Sequence, residues 1–172
     1  MNDCYIVCAA DMAPARFTPG EGDYIIAADA GCRHLERLGA RPDLIVGDFD
    51  SLGRIPSFPN VEVCPVEKDD TDSMIALRHA VTLGCRRILL FGALGGRRLD
   101  HTLANIQALA WARAQGAECF IIGEGCASPP SRTGTRCAST IATAATFPPS
   151  ATGRTPPASA SAGSITAWIG PS

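Results

Sequence analysis

Two aspartates on either side of one phenylalanine could hold a metal ion. Asp48 and Asp50 flank Phe49 in the sequence Gly47-Asp48-Phe49-Asp50-Ser51. In an extended segment, residues two apart point to the same side, and two adjacent carboxylates favour a divalent cation that neutralises both. A solvated, Asp-rich turn in which Ser51 acts as a cap explains the same residues equally well. The spacing alone leaves both interpretations open.

A second acidic segment, Lys68-Asp69-Asp70-Thr71-Asp72, comes directly before a predicted helix. Asp70 or Thr71 can cap that helix, and Asp72 in the first turn suits the positive end of the helix dipole. Capping therefore explains part of the acidity without any ligand. It does not explain Lys68, which is the only lysine in a chain with fourteen arginines. A compact ammonium group suits a phosphate contact, although a single lysine also arises by chance.

A glycine-rich turn connects a predicted strand to a predicted helix in segment 92–101, Gly-Ala-Leu-Gly-Gly-Arg-Arg-Leu-Asp-His. Backbone amides in such a turn can approach phosphate oxygens closely, and the start of a helix favours an anion. Arg97 and Arg98 add positive charge there, and Asp100 and His101 follow in the first helical turn. His101 by itself is more typical of an ordinary hydrogen-bonded histidine. The pattern Gly, four residues, Gly-Lys-Ser/Thr is absent from the sequence, which excludes a Walker-type nucleotide site.

Short apolar runs alternate with helical patterns along residues 1–125, and they predict the elements that position these segments. The six predicted strands are Tyr5–Ala10, Tyr24–Asp29, Leu44–Phe49, Val61–Val66, Arg87–Ala93 and Cys119–Gly123. The three predicted helices are Cys32–Leu38, Asp72–Leu83 and Leu99–Gln115. Strands that are apolar on both faces and alternate with helices indicate an α/β fold, a three-layer Rossmann-like and mostly parallel sheet flanked by helices. Ligands of such sheets bind at the carboxyl ends of the strands, where the polar segments described above collect.

The composition of the chain changes near residue 125. Of the 47 residues in 126–172, 37 are Ala, Ser, Thr, Pro or Gly, and none is Asp, Glu or Lys. All seventeen acidic residues of the 172-residue chain therefore lie in 1–125. We expect 1–125 to form one folded domain and 126–172 to be a low-complexity, disordered tail.

Charge, hydropathy and cysteine usage exclude several classes of protein. The formal net charge of −2 gives no electrostatic footprint for nucleic acid, and no apolar run reaches the roughly 18 residues that a membrane span needs. Asp3 and Asp11 interrupt the N-terminus where a secretory signal would need a basic and then an apolar stretch. The cysteines form no Cys-x-x-Cys pair and no zinc-like spacing, so we expect buried thiols in a cytoplasmic protein. They are Cys4, Cys8, Cys32, Cys64, Cys85, Cys119, Cys126 and Cys137.

Four ordered segments of the chain resemble the signature blocks of the thiamine pyrophosphokinase family. They are Ala28-Asp29-Ala30-Gly31, the run Pro42 to Ser51, Lys68-Asp69-Asp70-Thr71-Asp72, and Gly95-Gly96-Arg97-Arg98-Leu99-Asp100-His101 followed by Asn105. The resemblance covers residues 5–125. The chain departs from the family pattern at two places. Arg97-Arg98 adds one residue to the usual Gly-Gly-Arg, one residue, Asp-His, and Ala30 stands where a second glycine is common.

The resemblance implies a Mg2+-dependent enzyme that transfers pyrophosphate from ATP to thiamine, giving thiamine diphosphate and AMP. The implied catalytic residues are Asp48, Asp70, Asp72 and Asp100, with Asp70 or Asp100 as the proton acceptor. The residues implied for ATP binding are Asp29, Lys68, Gly95, Gly96, Arg97, Arg98, His101 and Asn105. The residues implied for the metal are Asp48, Asp50, Asp70 and Asp72. Two alternatives stay open, a metal-dependent phosphoesterase and a nucleotide-binding fragment without catalytic activity.

The resemblance also implies a second, β-rich domain that completes the thiamine pocket across a homodimer interface. Residues 126–172 do not have the composition of such a domain. One permitted codon choice for 162–171, read from its third base, gives Gly-Leu-Asp-Tyr-Arg-Leu-Asp-Arg-Ala, which alternates like a half-buried strand. We therefore hypothesise that the tail is an out-of-frame translation of the second domain. On that hypothesis we expect nucleotide binding with weak or absent pyrophosphoryl transfer, and a homodimer only where the second domain is intact.

Overall fold

The computed structural model describes residues 3–65, 70–96 and 98–125. The strands are β1 (Cys4–Val7), β2 (Tyr24–Ala28), β3 (Leu44–Gly47), β4 (Val61–Val63), β5 (Arg87–Phe91) and β6 (Glu118–Ile122). The helices are α1 (Cys32–Leu38), α2 (Asp72–Thr82) and α3 (Leu99–Ala114), with two short 3₁₀ helices at Pro14–Arg16 and Asp29–Gly31. Each predicted strand and helix is present. Lys68, Asp69, Arg97 and the predicted tail lie outside the described residues.

All six strands pair in parallel in one sheet, in the order β4-β3-β2-β1-β5-β6. The chain moves outward from β1 to β4, and then crosses through α2 to the other side of β1. This reversal of direction between β1 and β5 is the point where parallel α/β sheets open a crevice for ligands. The predicted α/β fold is confirmed, and the sheet is parallel throughout.

Alternate residues of the strands are buried on opposite faces of the sheet. Ile6 packs in one cluster with Leu77 of α2 and Ala112 of α3. Tyr5 packs on the other face with Leu35 of α1. All but Tyr5 and Leu35 are fully shielded from solvent, and those two are at most 4 % exposed. Because each large buried apolar side chain contributes about 1.5–3 kcal/mol, both faces hold the strand ends in place.

The strands end one to three residues earlier than the sequence predicted. β1 ends at Val7 rather than Ala10, and β5 ends at Phe91 rather than Ala93. The apolar runs continue past both strand ends, but the segments that follow β1 and β5 separate. Only single backbone hydrogen bonds join these segments, such as Ala10 N to Gly92 O at 3.0 Å. The residues beyond the paired region line the crevice instead. The apolar pattern cannot distinguish a strand from a buried crevice wall.

The six described cysteines are all free thiols, and Cys4, Cys8, Cys32 and Cys64 are buried, as expected for core residues. Cys126 and Cys137 lie outside the described residues. In the part of the chain that the structure describes, no helix combines the length and the apolar character needed to cross a membrane.

Candidate active site

A cavity of about 440 Å³ opens at the carboxyl ends of the central strands. Cys8, after β1, and Asp29, after β2, form one side of its wall. The glycine-rich turn after β5 and the first turns of α2 and α3 form the rest. Asp72, Gly95 and His101 line it from these three segments. The topology therefore brings the sequence-predicted segments to one crevice, as the fold rule requires.

Three carboxylates gather beside this cavity. One carboxylate oxygen from each of Asp29, Asp48 and Asp50 lies within 4.8 Å of the other two. Because β2 and β3 are hydrogen-bonded neighbours, the residue after β2 and those after β3 are brought to the same place. The convergence of Asp48 and Asp50 is confirmed. The third member, Asp29, was predicted from the resemblance to bind ATP.

The backbone brings these carboxylates together by a left-handed turn and not by an extended strand. β3 ends at Gly47, and Phe49 has a φ of +60° with a side chain that is only 2 % exposed. Asp29 is also left-handed, with a φ of +48°. The expectation of an extended segment around Asp48 was therefore wrong. Residues other than glycine rarely adopt a left-handed backbone conformation, and those that do collect at functional sites. Asp29 and Phe49 are two such residues.

The hydrogen bonding of Asp29 fits a site for a hard cation. The Ser51 hydroxyl donates a hydrogen bond to Asp29 Oδ2. Oδ1 of the same carboxylate is buried and has no hydrogen-bond partner among the described residues. A buried carboxylate oxygen without a donor is costly, and a divalent cation would satisfy it. Mg2+ takes oxygen ligands of this kind from one or two carboxylates.

Asp70 and Asp72 lie in different surroundings although they are two residues apart. Oδ2 of Asp70 accepts a hydrogen bond from Arg78 Nε at 2.9 Å, and the Arg78 guanidinium carbon lies 5.0 Å from the centre of the Trp111 ring. Asp72 is in the first turn of α2 and lines the cavity. Of the two residues predicted as caps, Thr71 is the one that caps α2, accepting a hydrogen bond from Met74 N at 3.3 Å.

The glycine-rich turn has the backbone conformation that a phosphate-binding loop needs. Gly95 has a φ of +81° and Gly96 a φ of +78°, a region that residues with a Cβ rarely adopt. Both glycines are exposed and line the cavity. The turn is joined to α3 by Thr102, whose hydroxyl donates to the Gly95 carbonyl at 3.3 Å. Its backbone can therefore lie directly against an anion.

Arg98 and Asp100 form an exposed ion pair at the start of α3. Arg98 Nε lies 3.1 Å from Asp100 Oδ1, and Arg98 Nη2 lies 2.5 Å from Asp100 Oδ2. These hydrogen bonds from Arg98, more than any other contact, lower the pKa of Asp100 from 3.8 to about 2. Asp100 is therefore a weak proton acceptor at neutral pH. Arg98 itself lines the cavity beside His101.

Asn105 of α3 is buried, with 6 % of its surface exposed. Its amide oxygen accepts a hydrogen bond from the Ser73 hydroxyl at 2.5 Å, and its amide nitrogen donates one to the Ala93 carbonyl at 2.8 Å. Asn105 was predicted from the resemblance to bind ATP, whereas Ser73 was not identified from the sequence. Nothing in the local sequence signals that a serine in the first turn of α2 will contact the second turn of α3.

The comparisons with known proteins agree with this arrangement. A family model described as "Thiamin pyrophosphokinase, catalytic domain" matches residues 20–121. The chain is 40% identical over 90 residues to a thiamine pyrophosphokinase of Bacillus subtilis, an alignment that covers 49% of this chain and 42% of that protein. The chain thus spans less than half of the length of this curated relative.

Two solved structures have the same fold. The thiamin pyrophosphokinase from Geobacillus thermodenitrificans is 36% identical with a TM-score of 0.59, over 70% of this chain and 59% of that one. The thiamine pyrophosphokinase from Bacillus subtilis is 28% identical with a TM-score of 0.62, over 70% of this chain and 60% of that one. Since the family model also matches more than half of the chain, the protein belongs to the thiamine pyrophosphokinase family.

Proposed function

We propose that this protein binds Mg2+ and ATP in the cavity and transfers a pyrophosphoryl group to the hydroxyl of thiamine, releasing AMP. Family membership supports the reaction class. The observation that carries the proposal is the position of Asp29, which belongs both to the three-carboxylate cluster and to the cavity wall. Carboxylates alone would repel a triphosphate, so a cluster of three beside this cavity makes chemical sense with a cation.

The proposed metal ligands are Asp29, Asp48 and Asp50, with Asp70 and Asp72 supplying further carboxylate oxygens from the start of α2. Asp29 is the strongest of these candidates because its buried Oδ1 lacks a donor among the described residues. When bound, Mg2+ would neutralise charge on the phosphate oxygens as the bond to the leaving AMP breaks.

The proposed phosphate-binding groups come from the other side of the cavity. The amides of Gly95 and Gly96 can donate to phosphate oxygens, and Arg98 and His101 line the same wall. Lys68 and Arg97 are proposed from the sequence to add positive charge. Donors fixed in this way before the substrate arrives stabilise charge that develops during transfer.

A carboxylate is proposed to accept the proton of the thiamine hydroxyl. Of the two candidates, Asp100 is the weaker, because its pKa is lowered to about 2 by Arg98. A base is most effective when its pKa lies near the working pH. Asp70 is the remaining candidate for this role.

Calorimetry of the full chain with ATP and MgCl2 tests nucleotide binding. We expect Asp48→Asn to lower the affinity for Mg-ATP by at least about tenfold, since it removes one charged ligand. Glu118→Gln is the matched control, because Glu118 is an exposed acid at the amino end of β6, away from the cavity. Equal affinities for the wild type and Asp48→Asn would contradict the metal site.

An assay of AMP and thiamine diphosphate separates the proposed transfer from its alternatives. AMP that appears only with thiamine indicates transfer, whereas AMP or ADP that appears without thiamine indicates a phosphoesterase or other hydrolase. Mg-ATP binding without any product indicates the nucleotide-binding fragment. Sequencing the gene across codons 120–172 tests whether the tail is translated in the correct frame. We propose that the thiamine pocket and a cytoplasmic homodimer both require the second domain that the correct frame would encode.

A further inference from the structure

A buried polar contact joins α2 and α3 at the wall of the cavity, which Ser73 and Asn105 both line. Among the described residues, the buried polar or charged side chains are Asp3, Ser73 and Asn105. Ser73 and Asn105 bond to each other across 32 positions of the sequence. Burial of polar groups costs free energy unless their hydrogen bonds are satisfied. A polar pair buried between two helices therefore calls for a physical reason.

The contact continues in both directions as a chain of hydrogen bonds. At one end, the amide nitrogen of Asn105 reaches the Ala93 carbonyl at 2.8 Å. At the other end, the Ser73 hydroxyl lies 2.9 Å from the Thr71 hydroxyl. The Met74 backbone N–H reaches the same Thr71 oxygen at 3.3 Å.

The chemistry of these groups fixes the direction of every bond in the chain. The Ala93 carbonyl can only accept, so the Asn105 nitrogen must face it and the Asn105 oxygen must face Ser73. That oxygen can also only accept, so Ser73 gives it its single hydroxyl proton. Thr71 must then donate to Ser73, and Met74 N–H donates to Thr71. The hydrogen bonds have one arrangement of protons, and loss of Ser73 or Asn105 leaves the other, which is buried, without this partner.

These hydrogen bonds connect three segments of the cavity wall, namely the start of α2, the start of α3 and the glycine-rich turn. Thr71 lies between Asp70 and Asp72, Ala93 lies two residues before Gly95, and Asn105 lies one helical turn after His101. Asp72, Gly95 and His101 all line the cavity. The hydrogen bonds therefore join the three segments that carry these cavity residues.

We propose that Ser73 and Asn105 are positioning residues for the nucleotide site. They fix the start of α2, the start of α3 and the glycine-rich turn relative to one another. This inference rests on the proposed function in that the positioned groups bind Mg-ATP. Asn105 lines the cavity, but its amide oxygen is bonded to Ser73 and its amide nitrogen to Ala93. It acts through these two bonds, in place of the direct ATP contact that the sequence resemblance implied.

Calorimetry with Mg-ATP on Ser73→Ala, Asn105→Ala and the double variant tests the proposal. Loss of one hydrogen bond in the chain is expected to weaken Mg-ATP binding about three- to tenfold. Because the two residues act as one unit, the double variant is expected to bind Mg-ATP with the same affinity as whichever single variant binds it less tightly. Multiplied effects would indicate two independent ligand contacts and would overturn the proposal, as would an unchanged affinity in the folded variants.

Ala112→Gly is the control for a loss of stability without a change at the site. Ala112 is fully buried in the last turns of α3, and glycine there destabilises the helix. We expect this variant to melt earlier and to bind Mg-ATP as the wild type does. A similar loss of affinity in Ala112→Gly would show that general destabilisation explains the result.

Hydrogen exchange without nucleotide gives a second, independent readout. We expect Ser73→Ala to exchange faster than the wild type at the amides of 93–96, although these lie 20 or more positions away in the sequence. Ala112→Gly should leave these amides unchanged. Unchanged exchange in Ser73→Ala would overturn the positioning role. If the wild type fails to bind Mg-ATP, the proposed function is wrong, while the exchange result still decides the role of Ser73.

Discussion

Gly47 lies directly against the backbone of Asp29. A Cβ at position 47 would be 3.0 Å from Cα of Asp29 and 3.2 Å from both its nitrogen and its Cβ. Gly47 ends β3, and Asp29 follows β2. Because Gly47 has no side chain, the carboxylate of Asp29 can approach those of Asp48 and Asp50.

Replacement of Gly47 by alanine is expected to disturb the acidic cluster. The added methyl must push the Asp29 backbone, so we expect Gly47→Ala to destabilise the fold by about 1–3 kcal/mol and to weaken Mg2+ binding several-fold. Urea denaturation and calorimetry measure the two effects. Gly53→Ala is the control, because Gly53 has a φ of +67° but no atom within 4 Å of the added Cβ. It should lose stability through backbone strain alone and keep its Mg2+ affinity.

Asp50→Asn is expected to stabilise the metal-free protein while it removes the response to Mg2+. Three carboxylate oxygens within 4.8 Å repel one another, and the substitution removes one of the charges. In EDTA we expect the variant to melt about 2 °C above the wild type. Saturating MgCl2 should raise the melting temperature of the wild type and leave that of the variant nearly unchanged.

Glu36→Gln controls for the change in net charge, because Glu36 is an exposed residue of α1. It should respond to Mg2+ as the wild type does. A lower melting temperature for Asp50→Asn in EDTA would mean that Asp50 makes stabilising contacts that outweigh the repulsion, and the cluster would then be structural.

Local patterns predicted the elements well because the buried strands are apolar on both faces. The same argument predicted that the aspartates after β2 and β3 would lie at one edge, and Asp48 and Asp50 do converge. The prediction of an extended backbone failed around Asp48, where tertiary packing decides the backbone conformation. Phe49 is left-handed because its side chain turns into the core, and this moves the neighbouring carboxylates toward Asp29.

The contact between Ser73 and Asn105 could not be predicted for a related reason. Serine in the first turn of a helix is ordinary, and asparagine in a helix usually faces solvent. Only the crossing of α2 and α3 brings the two side chains together. The resemblance identified Asn105, but a sequence motif does not distinguish a residue that touches a ligand from one that holds the site in place.

Arg98→Gln is expected to raise the pKa of Asp100 from about 2 toward 3.8, because the hydrogen bonds from Arg98 are the main cause of the lowered pKa. A carboxyl group whose pKa is lower in the folded state stabilises the fold above about pH 4, and loses that contribution as the pH falls through about 2. An NMR titration of the Asp100 carboxyl carbon measures the change. Arg78→Gln should leave this titration unaltered, and a midpoint that stays near 2 in Arg98→Gln would assign the effect to other groups.

The ion pair between Asp3 and Arg87 is expected to matter far more for stability than the exposed pair at Arg98. The Asp3 side chain is 4 % exposed and that of Arg87 19 %, and the two are in direct contact. They lie just before β1 and at the start of β5, where Cys4 is level with Ile88. Asp3→Ala leaves the guanidinium partly buried without this carboxylate, which typically costs about 3–5 kcal/mol.

Urea denaturation of Asp3→Ala, Asp3→Leu/Arg87→Met and Arg98→Gln compares these pairs. The double variant removes both charges and fills the space with apolar groups, so we expect it to recover most of the stability lost in Asp3→Ala. Arg98→Gln should unfold at nearly the wild-type urea concentration, since Arg98 and Asp100 are 64 % and 62 % exposed. If Asp3→Ala and Arg98→Gln have the same small effect, the contact between Asp3 and Arg87 does not hold β1 against β5, and apolar packing of the two strands must do so alone.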